Sequence, residues 1–213
     1  MKQPLRVLII LILAWMCRAG AQDLKTVQLP GPQKEIGKPL MQVLSLRQSS
    51  RDFDSKPLLL QDLSNLLWAA DGINRAESGK RTAPSAMNWQ ETDVYVILSE
   101  GAFLYDAKAN SLKPVIGGDV RAFAGTQGFV KDAPLTLVYV VDYARMTKAN
   151  DEDKKLYGTA DVGFIAENAY LYCASQGLAV VVRGSVDRPR LSEALKLRPD
   201  QRIILAQTVG YPK

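Results

Sequence analysis

Residues 160–184 read Ala-Asp-Val-Gly-Phe-Ile-Ala-Glu-Asn-Ala-Tyr-Leu-Tyr-Cys-Ala-Ser-Gln-Gly-Leu-Ala-Val-Val-Val-Arg-Gly, and the reading of this stretch decides the fold class. Ala160, Gly163, Phe164, Leu171, Tyr172 and Ser175 recur at helical spacing. Half of them are small, which lets another helix approach closely. Gly177 is the residue a helix uses to stop in a left-handed turn. Leu178 to Val182 is then a buried strand, ending at Gly184. A helix therefore feeds straight into a strand.

Upstream, residues 151–158 are charged and read as a solvated helix entry. Leu135 to Val141 is an apolar run that predicts a strand buried on both faces. Gly118 to Thr126 is expected to form a short helix. Val94 to Leu98 is a strand, and a second follows near Phe103 to Tyr105. Residues 72–92 are expected to be a long irregular loop. Leu60, Leu63, Leu67 and Ala70 fall at helical spacing until Asp71-Gly72 stops them, and Leu40, Val43, Leu44 and Leu46 mark an earlier helix. Downstream, Arg190 to Leu195 is a short helix and Ile203 to Val209 a final strand. Strands and helices mix without a βαβ rhythm, which predicts an α+β domain over residues 38–213. Residues 22–37, with Pro30, Gly31, Pro32 and Gly37, read as a loose N-terminal arm.

Residues 1–21 carry a different message. Lys2 and Arg6 precede an apolar run from Leu5 to Met16, and Ala19-Gly20-Ala21 supplies small residues for cleavage. This is the pattern of a secretory signal, too short to span a membrane, and it predicts an exported, periplasmic protein. An uncleaved anchor is the alternative. Without this segment Lys+Arg falls from 27 to 24 against 22 acids, so the net charge drops from +5 to +2. No basic stripe for nucleic acid remains. Cys17 leaves with the signal, and Cys173 has no partner for a disulfide.

The 213-residue chain is 47% hydrophobic and 23% charged, which excludes a disordered tail, a collagen-like rod or a long coiled coil. It has no histidine. That excludes a Ser-His-Asp triad, a histidine base and a histidine-ligated metal, and two cysteines alone do not make a zinc site. No metal is expected.

Three motifs carry chemistry. Arg47-Gln48-Ser49-Ser50-Arg51 ends the first helix; its guanidinium forks and hydroxyls suit an anion, or else its cations simply cap a helix C-terminus. Arg81 to Gln90 precedes a strand, and its Asn88 and Gln90 amides offer the paired donor and acceptor that a heterocycle edge requires; an ordinary Pro-Ser-Asn turn is the alternative. Gly177 to Gly184 is a helix stop leading into a strand whose terminal glycine lets backbone approach a flat ligand, or a plain helix–strand connection.

Taken in order, Arg-x-Ser-x-Arg, Pro84-Ser85-x-x-Asn88-x-Gln90, Ala166-Glu167-Asn168-Ala169-Tyr170-Leu171 before Gly177-Leu178, and the closing Val209-Gly210-Tyr211-Pro212-Lys213 resemble the nitroreductase-like FMN flavoproteins. The middle loop and the closing segment resemble the branch that includes the thiazole/oxazole-forming peptide dehydrogenases. The resemblance covers about residues 38–213.

It implies a mixed or antiparallel central sheet flanked by helices, and a homodimer with FMN at the interface, each site drawing on both subunits. It places Arg47 and Ser49, with Gln48 and Ser50 beside them, at the phosphate or ribityl end, and Arg51 at the N1–O2 edge. Asn88 would meet the pyrimidine edge, with Ser85 and Gln90 as further contacts. Gly184 would offer its N–H at flavin N5, which takes the hydride; Arg183 stands where the family often has an acid. Lys213 would close the phosphate site. No side chain need act as nucleophile, and NAD(P)H would be a visiting electron donor, since the chain has no Gly-x-Gly-x-x-Gly. The expected activity is transfer of electrons to a small nitroaromatic- or quinone-like acceptor. The competing readings are a ligand-binding module without redox turnover, and a signal-anchored structural protein without cofactor.

Overall fold

The computed structural model describes residues 24–213; the signal segment read at residues 1–21 lies outside them. Seven strands form one sheet: β1 (Val27–Gln28), β4 (Thr92–Leu98), β5 (Gly101–Asp106), β6 (Ser111–Gly117), β7 (Leu135–Asp142), β8 (Ala179–Arg183) and β9 (Gln201–Gly210). Their order is β1-β6-β5-β4-β7-β9-β8, and every neighbouring pair is antiparallel. The helices are α1 (Leu40–Leu46), α2 (Leu60–Asp71), α3 (Asp151–Gln176) and α4 (Arg188–Ala194).

β7 is buried along its whole length because both faces of the sheet are covered. Leu135, Leu137, Tyr139 and Val141 pack with Leu66 and Leu67 of α2 and Val162 and Ala169 of α3. Val138 and Val140 point the other way, toward Leu191 of α4 and Val130. Residues two apart on a strand share a face, so one apolar run serves two cores. α3 lies close over β7 at Gly158, where a Cβ would stand 2.9 Å from the Val141 side chain.

The charged entry at 151–158 and the stripe at 160–175 are one continuous helix of 26 residues. Asn150 caps it by accepting from the Asp153 N–H at 2.8 Å. Gly177 ends it at φ 72°, the left-handed stop expected from glycine.

Three local expectations are corrected, and one strand, β6, was not expected. The 72–92 loop contains a hairpin, β2 (Ile73–Arg75) with β3 (Lys80–Arg81), turned at Gly79 with φ 65°, and a 3-10 turn at Ala86–Asn88. β6 was not legible because Lys113-Pro114 interrupts it. Proline is tolerated there because β1 covers β6 only at Ser111 and Leu112, leaving Pro114 on a free edge. The short helix expected over 118–126 is a single 3-10 turn, Arg121–Phe123. The arm is not loose along its described length: β1 joins the sheet, Leu29 is buried, and the Pro30 carbonyl accepts from Ser64 Oγ and Asn110 Nδ2.

Candidate functional site

The Arg-x-Ser-x-Arg segment leaves α1 in extended conformation and lies along the outer edge of β8, the last strand of the sheet. The Arg47 N–H still bonds Val43 O at 2.9 Å, closing the helix. The Ser50 N–H then donates to Val180 O at 2.9 Å. Between them sits Tyr170 of α3, which is buried. Its hydroxyl accepts the Val182 N–H at 2.8 Å and shares a 2.8 Å hydrogen bond with Ser49 Oγ. The Arg47 guanidinium lies over the Tyr170 ring, 5.3 Å from its centroid. One side chain therefore ties the segment to the strand that runs on to Gly184.

The chain terminus joins the same edge. The Asp54 N–H bonds Tyr211 O at 2.9 Å, and Phe53 pairs with Pro212 antiparallel, which brings Lys213 alongside residues 51–52. Arg47, Arg51 and Lys213 form no ion pair among the described residues. A cleft of about 400 Å³ opens beside this edge between Lys38, Leu46, Gln48, Ser50, Leu178 and Val180; of the predicted site residues only Gln48 and Ser50 line it. Gly184 is exposed, with nothing within 4 Å of the position a Cβ would take. Apolar walls belong to the cleft, while Arg47, Arg51, Lys213 and the open backbone at Gly184 lie outside its lining, along the segment and strand beside it; together they make an edge that suits a flat anionic ligand.

Arg183 does not reach this edge. Its side chain lies on the opposite face of β8, donating to Ala124 O at 2.9 Å and Thr208 Oγ1 at 2.8 Å and lying over Phe129. Burial lowers its pKa to about 10. The alternation of side chains along the strand explains this: Val182 faces α3, so Arg183 faces away.

Ser85, Asn88 and Gln90 form a second cluster that the chain does not fold onto the first. Ala86 donates its N–H to Asp161 Oδ2 of α3 at 2.8 Å. Asp161 lies nine residues before Tyr170, about 13 Å along the helix axis. Met87, Asn88 and Gln90 all have positive φ, at 49°, 54° and 48°. Left-handed non-glycine residues cost about 1–2 kcal/mol each and persist where surrounding contacts over-determine them.

Those contacts are on hand. Gln90 Oε1 accepts from Arg81 Nε at 3.1 Å, and Gln90 Nε2 donates to Gly79 O and Asn88 Oδ1. Ser85 Oγ accepts the Gln90 N–H at 2.8 Å and donates to Glu91 Oε2 at 3.1 Å. Arg81 is held in turn by Asp71, whose carboxylate it meets at 2.9 Å. Burial outweighs the Arg81 cation and pushes the Asp71 pKa up to about 7. Ser85 and Gln90 are thus committed to the loop, while Asn88 and Met87 are exposed.

Sequence reading missed Tyr170, Asp161, Glu91, Arg81 and Asp71 as site-building residues. Tyr170 and Arg81 stood inside quoted motifs with no role assigned to them; the acids carried no signal beyond being single charges. The outward face of α3 carries Leu156, Tyr157 and Phe164, all exposed, with Ala160 and Gly163 between them.

Comparison with known proteins decides the family. The Nitroreductase family profile matches residues 44–211. The chain belongs to the nitroreductase family. As a member of it, the protein is an oxidoreductase. A nitroreductase-type protein of Ralstonia eutropha, solved by crystallography, is 44% identical, with a TM-score of 0.86 over 92% of this chain and 93% of that one. A protein of Methanocaldococcus jannaschii, named as a nitroreductase, is 32% identical over 186 residues, 83% of this chain and 92% of its own. The NADPH:FMN oxidoreductase of Vibrio harveyi, solved with NAD+, shares the fold at 22% identity and a TM-score of 0.61, over 82% of this chain and 69% of that one.

Proposed function

We propose that this nitroreductase-family protein is an FMN-dependent oxidoreductase that takes electrons from a donor such as NAD(P)H and passes them to a small nitroaromatic- or quinone-like acceptor. The observation that carries the reading is the double hydrogen bond of the Tyr170 hydroxyl, which ties the 47–51 segment to the end of β8. The residues there fit FMN: cations without carboxylate partners for its phosphate, apolar walls for its ring, and open backbone at Gly184. Bound FMN supplies the two-electron chemistry, accepting and releasing hydride at N5.

The chain's own groups bind and orient. Arg47 and Ser49 hold the phosphate or ribityl end, with Gln48, Ser50 and Lys213 beside them. Arg51 offers a cation to the pyrimidine edge, where it favours negative charge. Gly184 presents its N–H to N5. Asn88 contacts the pyrimidine edge, but its cluster is anchored far along α3 from Tyr170. That separation supports a homodimer in which the 85–90 loop of one subunit completes the site of the other, with the exposed Leu156–Phe164 face of α3 buried between them. Residues 1–21 support export to the periplasm, where a donor other than NAD(P)H would serve. Among the described residues no helix is long and apolar enough to cross a membrane.

Purified protein should be yellow with a flavin spectrum, bleach with NAD(P)H or dithionite, and recover colour with a quinone. Colourless protein that takes up no added FMN overturns the reading. FMN that binds but cannot be reduced by any donor leaves a binding module instead.

A further inference from the structure

Glu91, the residue just before β4, is fully buried, and its two carboxyl oxygens have unequal surroundings. Oε2 accepts from Ser85 Oγ at 3.1 Å. Oε1 is buried with no donor. A carboxylate oxygen in that position loses its hydration without replacement. The Asp161 carboxyl, also buried, lines the same small cavity. Asp161 Oδ2 already accepts the Ala86 N–H at 2.8 Å. Two ionised carboxylates cannot share such a space; one proton between them satisfies Oε1 and removes the repulsion.

We infer that Glu91 and Asp161 share one proton, and that this proton is the latch that holds the 85–90 loop in its left-handed conformation. Each acid grips the loop at a different point: Glu91 through Ser85, which in turn holds the Gln90 N–H, and Asp161 through Ala86. Loss of the proton drives the two acids apart and pulls both grips away from the conformation that presents Asn88. The other charges around the pair are fixed in partnerships. Asp71 of α2 meets Arg81 of β3, and Arg145, after β7, meets Asp93 of β4 while donating to Gln90 O. Asp142 of β7 bonds Arg198 and Arg145 and gives its N–H to Glu91 O. Burial first, and Asp161 after it, raise the Glu91 pKa to about 7, so the latch opens near neutral pH. Glu91 and Asp161 are positioning residues: they act on the flavin site through the loop. That last step rests on the proposed flavin role of Asn88.

The test uses the full chain and two amide variants, Glu91→Gln and Asp161→Asn, each of which replaces the proton with a permanent N–H between the same atoms. The first readout is amide hydrogen exchange at Ala86 and Gln90 from about pH 6 to about pH 8.5, corrected for intrinsic exchange; it needs no flavin. Wild-type protection should fall by roughly 5- to 150-fold across that range, the span of ordinary site coupling, while the variants stay flat. The second readout is FMN affinity over the same range, expected to weaken in the wild type only. Protection that is flat in the wild type, or that falls as steeply in both variants, overturns the shared proton. Protection that responds as expected while FMN affinity does not leaves the latch standing and removes the flavin role of the loop. If one variant fails to fold, the other decides.

Discussion

Replacing Tyr170 with phenylalanine removes one oxygen and separates two elements of the proposed flavin site. The ring stays, so its packing in the core and the Arg47 guanidinium above it are kept. What is lost is the hydroxyl between Ser49 Oγ and the Val182 N–H, each at 2.8 Å. β8 is the last strand of the sheet and the Val182 N–H points to its outer edge, where no strand pairs, so that N–H loses its acceptor. An unpaired, largely buried donor costs about 1–3 kcal/mol. Val182 is only partly buried, so water offsets some of this and about 1–2 kcal/mol remains. For a chain of this size that is a fall of roughly 2–8 °C in Tm. Urea unfolding should show a lower midpoint with an unchanged slope, because little surface changes. FMN affinity should fall as well, since Ser49 and Arg47 lose their anchor. Ser49→Ala should weaken FMN alone, and the double variant should lose less than the two single losses added together, the mark of a shared contact. A Tyr170→Phe protein with wild-type midpoint and wild-type FMN affinity would refute the claim that this hydroxyl organises the edge.

Arg47→Ala should weaken FMN about ten- to a hundredfold, the loss of a charge-assisted bond worth roughly 1.5–3 kcal/mol, with partial rescue by excess FMN; Arg51→Ala should leave FMN bound and lower the flavin midpoint potential, and unchanged affinity in the first with unchanged potential in the second would leave both arginines as mere helix ends. Phe164→Glu, on the exposed face of α3, should convert a dimer seen by light scattering into a monomer of weaker FMN affinity, whereas a wild-type protein that is monomeric with FMN bound places the interface elsewhere. Stability should decline as pH rises from about 4.5 toward 7: the folded pKa of Glu91 is raised from 4.5 to about 7, so its contribution is complete below the unfolded value and is lost on ionisation, about 3 kcal/mol at most. Asp71, raised from 3.8 to about 7, acts in the same direction, and a urea midpoint that increases from pH 5 to 8 would contradict both. Exported material, sequenced from its N-terminus, should begin at or near Gln22; intact Met1 on cytoplasmic protein excludes export.

Local signals in the chain determined much of this protein. Helical periodicity, the glycine stop at Gly177 and the doubly buried run at Leu135–Val141 fix α1, α2, α3, β4 and β7, because each depends on neighbours within a few residues. The absence of histidine removes whole classes of chemistry. The order of short motifs pointed to the nitroreductase family, and the family profile bears that out. Tertiary structure decided what depends on residues far apart. β1 and β6 exist only because they pair with each other and β6 with β5, a pairing that Pro114 conceals from local reading. Which way Arg183 points follows from the face of β8 that α3 covers, and that face is not written in a run of valines. The Tyr170 hydroxyl and the Glu91–Asp161 pair join residues that are 121 and 70 positions from those they hold or face. Burial gives these contacts their force: a hydroxyl or carboxyl that is unremarkable in water must find a partner once the fold has removed the water around it.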